Sequence, residues 1–437
     1  MENRHETITE AEKNVYTSID SLQNSKSFNR TMNLITLLFA GYTKATDYFE
    51  IGPVNTFYSF NPVEGFRLRF GGRTTPHFSK NIYLENYVAY GFKDEKFKYY
   101  LGGTYSFTGN NRFTFPGKGI NINYQQDTKI PGQELQFIQE DNFLLSFKRG
   151  ENDKWLYNKI FKAEYYQEFS NHLSYKIGYK NWQQEAAGGL RYVEDVTGNN
   201  VGNITTSEIY TELRWAPNEE FYQGKLYRTP FPNKYPIFTL RGAIGVNDFL
   251  NGDYNYQKFN LNIYKRFYMS QLGFSDVVLE GGYTFGKVPY PLLDIHRANQ
   301  SYSYQLQSYN LMNFLEFVSD QYVSLQMDHS FNGFFLNKIP LIKKLKFREF
   351  ISMKVLYGGL RDENTPNGSN SGILAFSTDG AGVPVTYTLE KEPYVEGSVG
   401  IGNIFKVFRV DLVRRFTYLD NPNVSKTGIR VRFKLDF

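Results

Sequence analysis

The stretch Thr427 to Phe437 reads TGIRVRFKLDF, in which Ile429, Val431, Phe433, Leu435 and Phe437 alternate with Arg430, Arg432, Lys434 and Asp436. A period of two places the five apolar side chains on one face of a strand and the four charges on the other. A half-buried strand of a soluble sheet has this pattern. So does the closing strand of an outer-membrane β-barrel, which turns one face to lipid and the other to a wet lumen. The barrel reading also expects the terminal aromatic, and Phe433, Leu435 and Phe437 then occupy the places of a closing strand and assembly signal.

Composition favours the barrel. The chain has 437 residues with 35 Tyr, 39 Phe and no Cys. Aromatics at 18% exceed what an ordinary core needs and suit two aromatic girdles. No apolar run reaches the roughly 18 to 20 residues of a spanning helix; the best candidate, Met32 to Ala40, is too short. A net charge of +5 from 49 basic and 44 acidic residues gives no concentrated basic face, so no nucleic-acid partner is expected. The absence of Cys fits an oxidising compartment. Met1 to Glu6 lacks the charged-then-apolar order of a signal peptide. The expectation is therefore a C-terminal part of something longer, or a truncated gene model.

Two regions are expected, a lead-in over 1–46 and a barrel over 47–437. In the first, Thr7 and Glu10 have capping-box spacing, and Ile8, Ala11, Val15, Ile19 and Leu22 follow at helical intervals. A second helical stretch runs from Phe28 to Phe39. The lead-in is either a periplasmic linker or a plug in the lumen. From Phe49 onward eighteen strand candidates follow one another, including 138–148 and 186–197; sixteen strands are expected, with eighteen as the alternative, since an even count is the rule. Counting back from Phe437 puts the two long polar connections, 287–317 and 362–391, on the extracellular side and 402–405 in a periplasmic turn. The periplasmic connection 333–346 departs from the short-turn rule. Its Lys338, Ile339, Leu341, Lys343 and Lys344 suit either a short interfacial helix against an anionic leaflet or a solvated basic turn.

No catalytic, metal or cofactor constellation is found. The five histidines, His5, His77, His172, His296 and His329, have no metal-ligand spacing. His329 and Ser330 are adjacent on a strand and point to opposite faces, so they cannot be base and nucleophile to one another. Asp248 to Asp253 lacks the alternation of a Ca²⁺ loop and reads as a hairpin. Strand charges that mostly alternate with apolar residues should face the lumen: Arg67, Arg69, Arg73, Lys148, Arg191, Arg214, Arg241, Lys265, Arg266, Arg361, Arg409, Arg414, Arg415, Arg430 and Arg432, joined by Glu85, Glu164, Glu168, Glu212, Glu280, Glu396 and Asp411. Such a lumen is either a salt-bridged interior or a water-filled pore. Asp411 and Glu50 are the acidic partners expected for the bases of the last strand.

The stretches Ile51-Gly-Pro53, Phe57 to Thr74, Tyr87 to Asp94, Asn337 to Lys344 and Leu356 to Leu360 resemble a family of Bacteroidetes outer-membrane proteins. That family carries a carboxypeptidase-regulatory-like domain ahead of a barrel of unknown function. The resemblance implies a barrel distantly similar to bacterial surface-antigen insertases, with sixteen strands and an inward loop bearing an Arg-Gly-Phe type motif. Only Glu64-Gly-Phe-Arg67 approaches that motif, in the wrong part of the chain. The resemblance also implies outer-membrane lipid and the barrel-assembly machinery as partners, and a periplasmic protein recruited through the missing N-terminal domain. The functions it raises are envelope biogenesis or protein and lipid handling, the alternative being a channel with residues 1–46 as plug.

Overall fold

The computed structural model describes residues 25, 41–135, 148–150, 153–379 and 382–433. The expected helices of the lead-in, most of the 138–148 candidate, and Leu435 and Phe437 lie outside these residues. What is described is all-β. One antiparallel sheet gathers eighteen strands, and its long members follow one another as an unbroken meander.

The first strand, β1, is made of two pieces, Phe49–Ile51 and Tyr58–Asn61, because both pair with the same edge of β2 (Gly65–Thr74). Then come β3 (Ile82–Gly91), β4 (Phe97–Ser106), β5 (Lys118–Lys129), β6 (Lys154–Glu168), β7 (Leu173–Gly188) and β8 (Ile204–Trp215). The second half is β9 (Ile237–Gly245), β10 (Tyr256–Tyr268), β11 (Phe274–Phe285), β12 (Gln321–Ser330), β13 (Arg348–Gly359), β14 (Tyr394–Ile404), β15 (Phe408–Arg415) and β16 (Thr427–Phe433). The remaining member of the sheet, Thr43–Lys44, pairs only with the first piece of β1. Sixteen traverses result among the described residues. Of the two surplus candidates, 138–148 has only its last residue described, and 186–197 is the end of β7 followed by a connection. Beyond Gly188 that connection makes only isolated bridges, Val193 with Asn200 and Glu194 with Leu374.

Side chains on these strands are distributed the reverse way from a soluble protein. Along β2, Phe66, Leu68 and Phe70 are exposed, Phe70 to 64%, while Arg67 between them is buried. The same inversion holds at the other end of the meander. Arg415 and Arg430 are 0% and 2% exposed, whereas Leu412 and Ile429 face outward. Charge is buried only where partners are at hand, since an isolated buried ion costs several kcal/mol.

Seven of the connections return at the rim where β1 begins and β16 ends, here the near rim; the longest, 286–320 and 360–393, lie on the far side. Those two do not spread into solvent. Val288, Tyr290, Leu292, Leu293, Ile295, Leu315 and Val318 form a buried apolar cluster with Tyr192, Ile204, Tyr256, Leu360 and Leu374. A second cluster joins Tyr309, Met312 and Phe317 to Leu356, Leu389 and Tyr394. The apolar core of the protein is thus built largely by connections and enclosed by the sheet's polar face. That corrects the extracellular placement expected for 287–317 in one respect: the segment leaves from the far rim and folds inward.

Candidate functional site

An irregular segment inside a sheet-lined space must have its backbone polar groups satisfied by the protein. The inward loop 286–320 meets this condition through charged side chains of the strands. Glu396 on β14 accepts the backbone N–H of Asn310 (2.7 Å) and of Leu311 (3.0 Å). Lys354 on β13 donates to the carbonyls of Gln305 (2.7 Å) and Ser308, and Arg430 on β16 donates to the carbonyl of Asn310 (2.7 Å). The loop supplies its own charges in return. Arg297 donates to Glu280 on β11 at 2.8 Å, and Asp294 pairs with Lys258 on β10 at 2.9 Å. Glu316 receives Arg415 of β15 through two hydrogen bonds of 2.7 and 3.1 Å. His296 is buried against Ser319, its Nε2 lying 2.9 Å from the hydroxyl. Burial, with the nearby Arg297 and Lys258, holds its imidazole down to about 3.

The expected inward-facing residues have these positions. Arg67 is buried between Glu64 and Asp127. Arg69 lies over the Tyr87 ring, 3.8 Å from its centroid. Arg409 bridges Asp411 (2.8 Å) and Asp328 (2.7 Å), and Arg432 lines a cavity of about 300 Å³ beside them. The two acids expected to neutralise the last strand do not do so. Asp411 stands opposite Arg430 in register but is held by Arg409, and Glu50 is held by Arg73 at 2.8 Å. Arg430 instead reaches the loop backbone, so cross-strand adjacency misled the pairing. Sequence reasoning also missed Asp294, Arg297 and Glu316, because their loop composition reads as solvated. The signal available was apolar: Tyr290-Pro-Leu-Leu293 and Phe314-Leu-Glu-Phe-Val318 are core-like runs inside a supposed surface loop.

The two ends of the meander form the second half of the site. Among the described residues no pairing joins β16 to β1. The outer edge of β16 is taken by the inward loop. The Val431 N–H donates to the carbonyl of Tyr302 and its carbonyl accepts the Tyr304 N–H, both at 2.9 Å, which makes a parallel bridge at Ser303. On the loop's other flank, Arg149 N–H donates to the Gln300 carbonyl at 2.6 Å, and Lys148 bridges Ser301. A cavity of about 650 Å³ is lined by Tyr58, Phe60 and Asn61 of β1, by Arg69 and Tyr87, and by Asn299 and Ser301 of the loop.

One arrangement with the look of chemistry lies elsewhere. Ser275 and His329 are cross-strand partners on β11 and β12, with Oγ 2.7 Å from Nδ1. This is not the His329–Ser330 adjacency considered from sequence. Among the described residues no carboxylate holds the imidazole and both side chains are buried, so the pair lacks the third group and the access a nucleophile requires. No cluster of three metal-ligating side chains occurs among the described residues.

The chain belongs to the DUF5686 family of unknown function, the model of whose C-terminal domain matches residues 36–363. No curated protein matches it. Among solved structures it is similar to BamA from Haemophilus ducreyi lacking POTRA domains 1–3, at 12% identity and a TM-score of 0.46 over 86% of this chain and 69% of that one. It is also similar to CdiB from Acinetobacter baumannii, at 12% identity and a TM-score of 0.39 over 86% of this chain and 57% of that one.

Proposed function

We propose that this chain is an outer-membrane β-barrel that handles protein or lipid at the seam between its first and last strands, as a step of envelope biogenesis. The reading rests on the margin of the sheet, where among the described residues β16 does not pair with β1. A strand edge in hydrocarbon leaves unpaired backbone groups that cost several kcal/mol each, so a spanning barrel ordinarily closes β1 onto β16. Here the edge of β16 is occupied at Val431 by the protein's own loop. An edge held by a removable segment is one to which an extended segment of another molecule can add. The outward apolar face of the sheet supports the bilayer as its surroundings.

The channel alternative finds less support, because the inward loop packs into two buried apolar clusters and is tied by ion pairs to the strands, and of residues 1–46, its expected plug, only 25 and 41–46 are described. A photo-crosslinking residue at Val431, and another at Phe60, tests the proposal in living cells. Cross-links to nascent outer-membrane proteins or to lipid are expected at both positions. Products joining only β1 to β16 within one chain would mean a closed seam and remove the basis of the reading.

A further inference from the structure

The near rim is not uniform. Three consecutive hairpins, β10–β11, β12–β13 and β14–β15, carry apolar side chains past the end of the strands into the open. Leu341 is 77% and Phe405 86% exposed, and Leu345, Met269 and Leu272 stand out beside them. The second and third hairpins join in one surface, since Asn403 donates to the carbonyl of Lys346 at 2.7 Å across the gap between them. Lys338, Lys343, Lys344 and Lys346 are exposed on this surface, and residues 331–347 contain no acid to neutralise them. The next carboxylate along the chain, Glu349, accepts the backbone N–H of Phe335 (3.1 Å) and of Leu336. The far rim is charged the other way: connection 360–393 sets Asp362, Glu363, Asp379, Glu390 and Glu392 against Arg361 and Lys391.

The segment is shaped to present these groups. The short helix or basic turn weighed from sequence is two 3₁₀ turns, Leu336–Lys338 and Ile342–Leu345. Leu341 between them has φ +71° and ψ −51°, a strained conformation for a leucine. Its side chain is exposed. Apolar side chains alternating with uncompensated cations, continuous with a lipid-facing band, match the boundary between acyl chains and acidic headgroups.

We infer that the β12–β13 hairpin is a lipid-binding element, seating Leu341 and Leu345 in the acyl boundary of the near-rim leaflet and its lysines on acidic phospholipid headgroups. This rests on the membrane-barrel reading above, and the test separates the two. The chain has no cysteine, so Leu341→Cys gives one labelling site, and Phe70→Cys gives another on the outward face of β2. Each labelled full chain is folded into bilayers of phosphatidylcholine with or without phosphatidylglycerol, and quenching by shallow and deep brominated lipids is measured. The label at 341 should be quenched by shallow lipids, more than about fivefold better with phosphatidylglycerol, as expected for several lysines near a charged surface. The preference should vanish at high salt and in a Lys338→Gln, Lys343→Gln, Lys344→Gln, Lys346→Gln variant; salt gives the answer should that variant not fold. Absent quenching at 341 with normal quenching at 70 overturns the inference and leaves the barrel intact. Equal quenching in both bilayers overturns headgroup recognition, and shielding of 341 only on addition of periplasmic extract would point instead to a protein partner. Failure at both positions removes the membrane reading itself.

Discussion

Glu316→Ala probes the docking of the inward loop most sharply. The carboxylate accepts two hydrogen bonds from Arg415, one from Asn421 at 3.0 Å and one from the Asn313 N–H at 2.8 Å. Arg415 is fully buried, so removing Glu316 leaves an uncompensated guanidinium, a loss of about 3 to 5 kcal/mol. The orphaned Asn313 N–H adds about 1 to 3 kcal/mol, though the two terms share a neighbourhood and will not sum fully. A net of about 4 kcal/mol raises the open fraction of the loop roughly a thousandfold, at 1.4 kcal/mol per tenfold. Met312 is fully buried on the loop, and the chain is otherwise free of cysteine, so Met312→Cys reports opening by its rate of thiol labelling. In that background Glu316→Ala should speed labelling by roughly a hundredfold or more. Adding Arg415→Met, which removes the stranded charge, should recover most of the difference. Labelling within twofold of the parent would show that the pair does not hold the loop, and the account of the filled interior would fail with it.

Other consequences follow from the same geometry. Released from the loop's packing, His296 would titrate near its ordinary value, whereas in place burial, Arg297 and Lys258 keep it neutral to about pH 3. The docked loop refuses a proton that the released loop accepts, so docking weakens as pH falls below about 6.5, by about 1.4 kcal/mol per unit at most. Labelling of Met312→Cys, normalised to an unfolded control, should therefore rise between pH 7 and 4, and His296→Gln should flatten that slope. Leu325, exposed between Leu279 and Val355 in mid-strand, faces the acyl chains on this account, so Leu325→Arg should cost about 2 to 4 kcal/mol in refolding titrations against bilayers. The same change at Phe249, on a far-rim connection, should be nearly neutral. Planar bilayers containing the intact chain should show little conductance, and deleting residues 288–318 should open a large one; deleting residues 1–40 instead should change nothing.

The alternation of the last strand, Ile429 against Arg430 and Val431 against Arg432, made the fold class legible because a sheet with a wet face and an apolar face needs only period two to announce itself. Among the described residues sixteen of the eighteen segments are traverses, and 138–148 lies almost entirely outside those residues. The segment 186–197 misled because Leu190, Tyr192 and Val196 mimic alternation, although Leu190 and Tyr192 are buried by the inward loop's core and not by a sheet. The loop was the least legible part. Gln305, Ser308 and Asn310 are the residues of a solvated turn, and only the charges waiting on β13, β14 and β16 convert them into a buried segment. Glu396 and Arg430 were read as facing inward and Lys354 was not; what they would hold was not legible, because partners 46 to 120 residues apart leave no local pattern.

The claim on which the rest depends is that β16 ends the sheet against the protein's own loop and not against β1. Solid-state NMR of the chain in lipid bilayers tests it directly through backbone contacts of Val431. The account predicts contacts from Val431 to Tyr302, Ser303 and Tyr304. Contacts running instead from residues 429–433 to Tyr58–Asn61 would describe a closed barrel and contradict it.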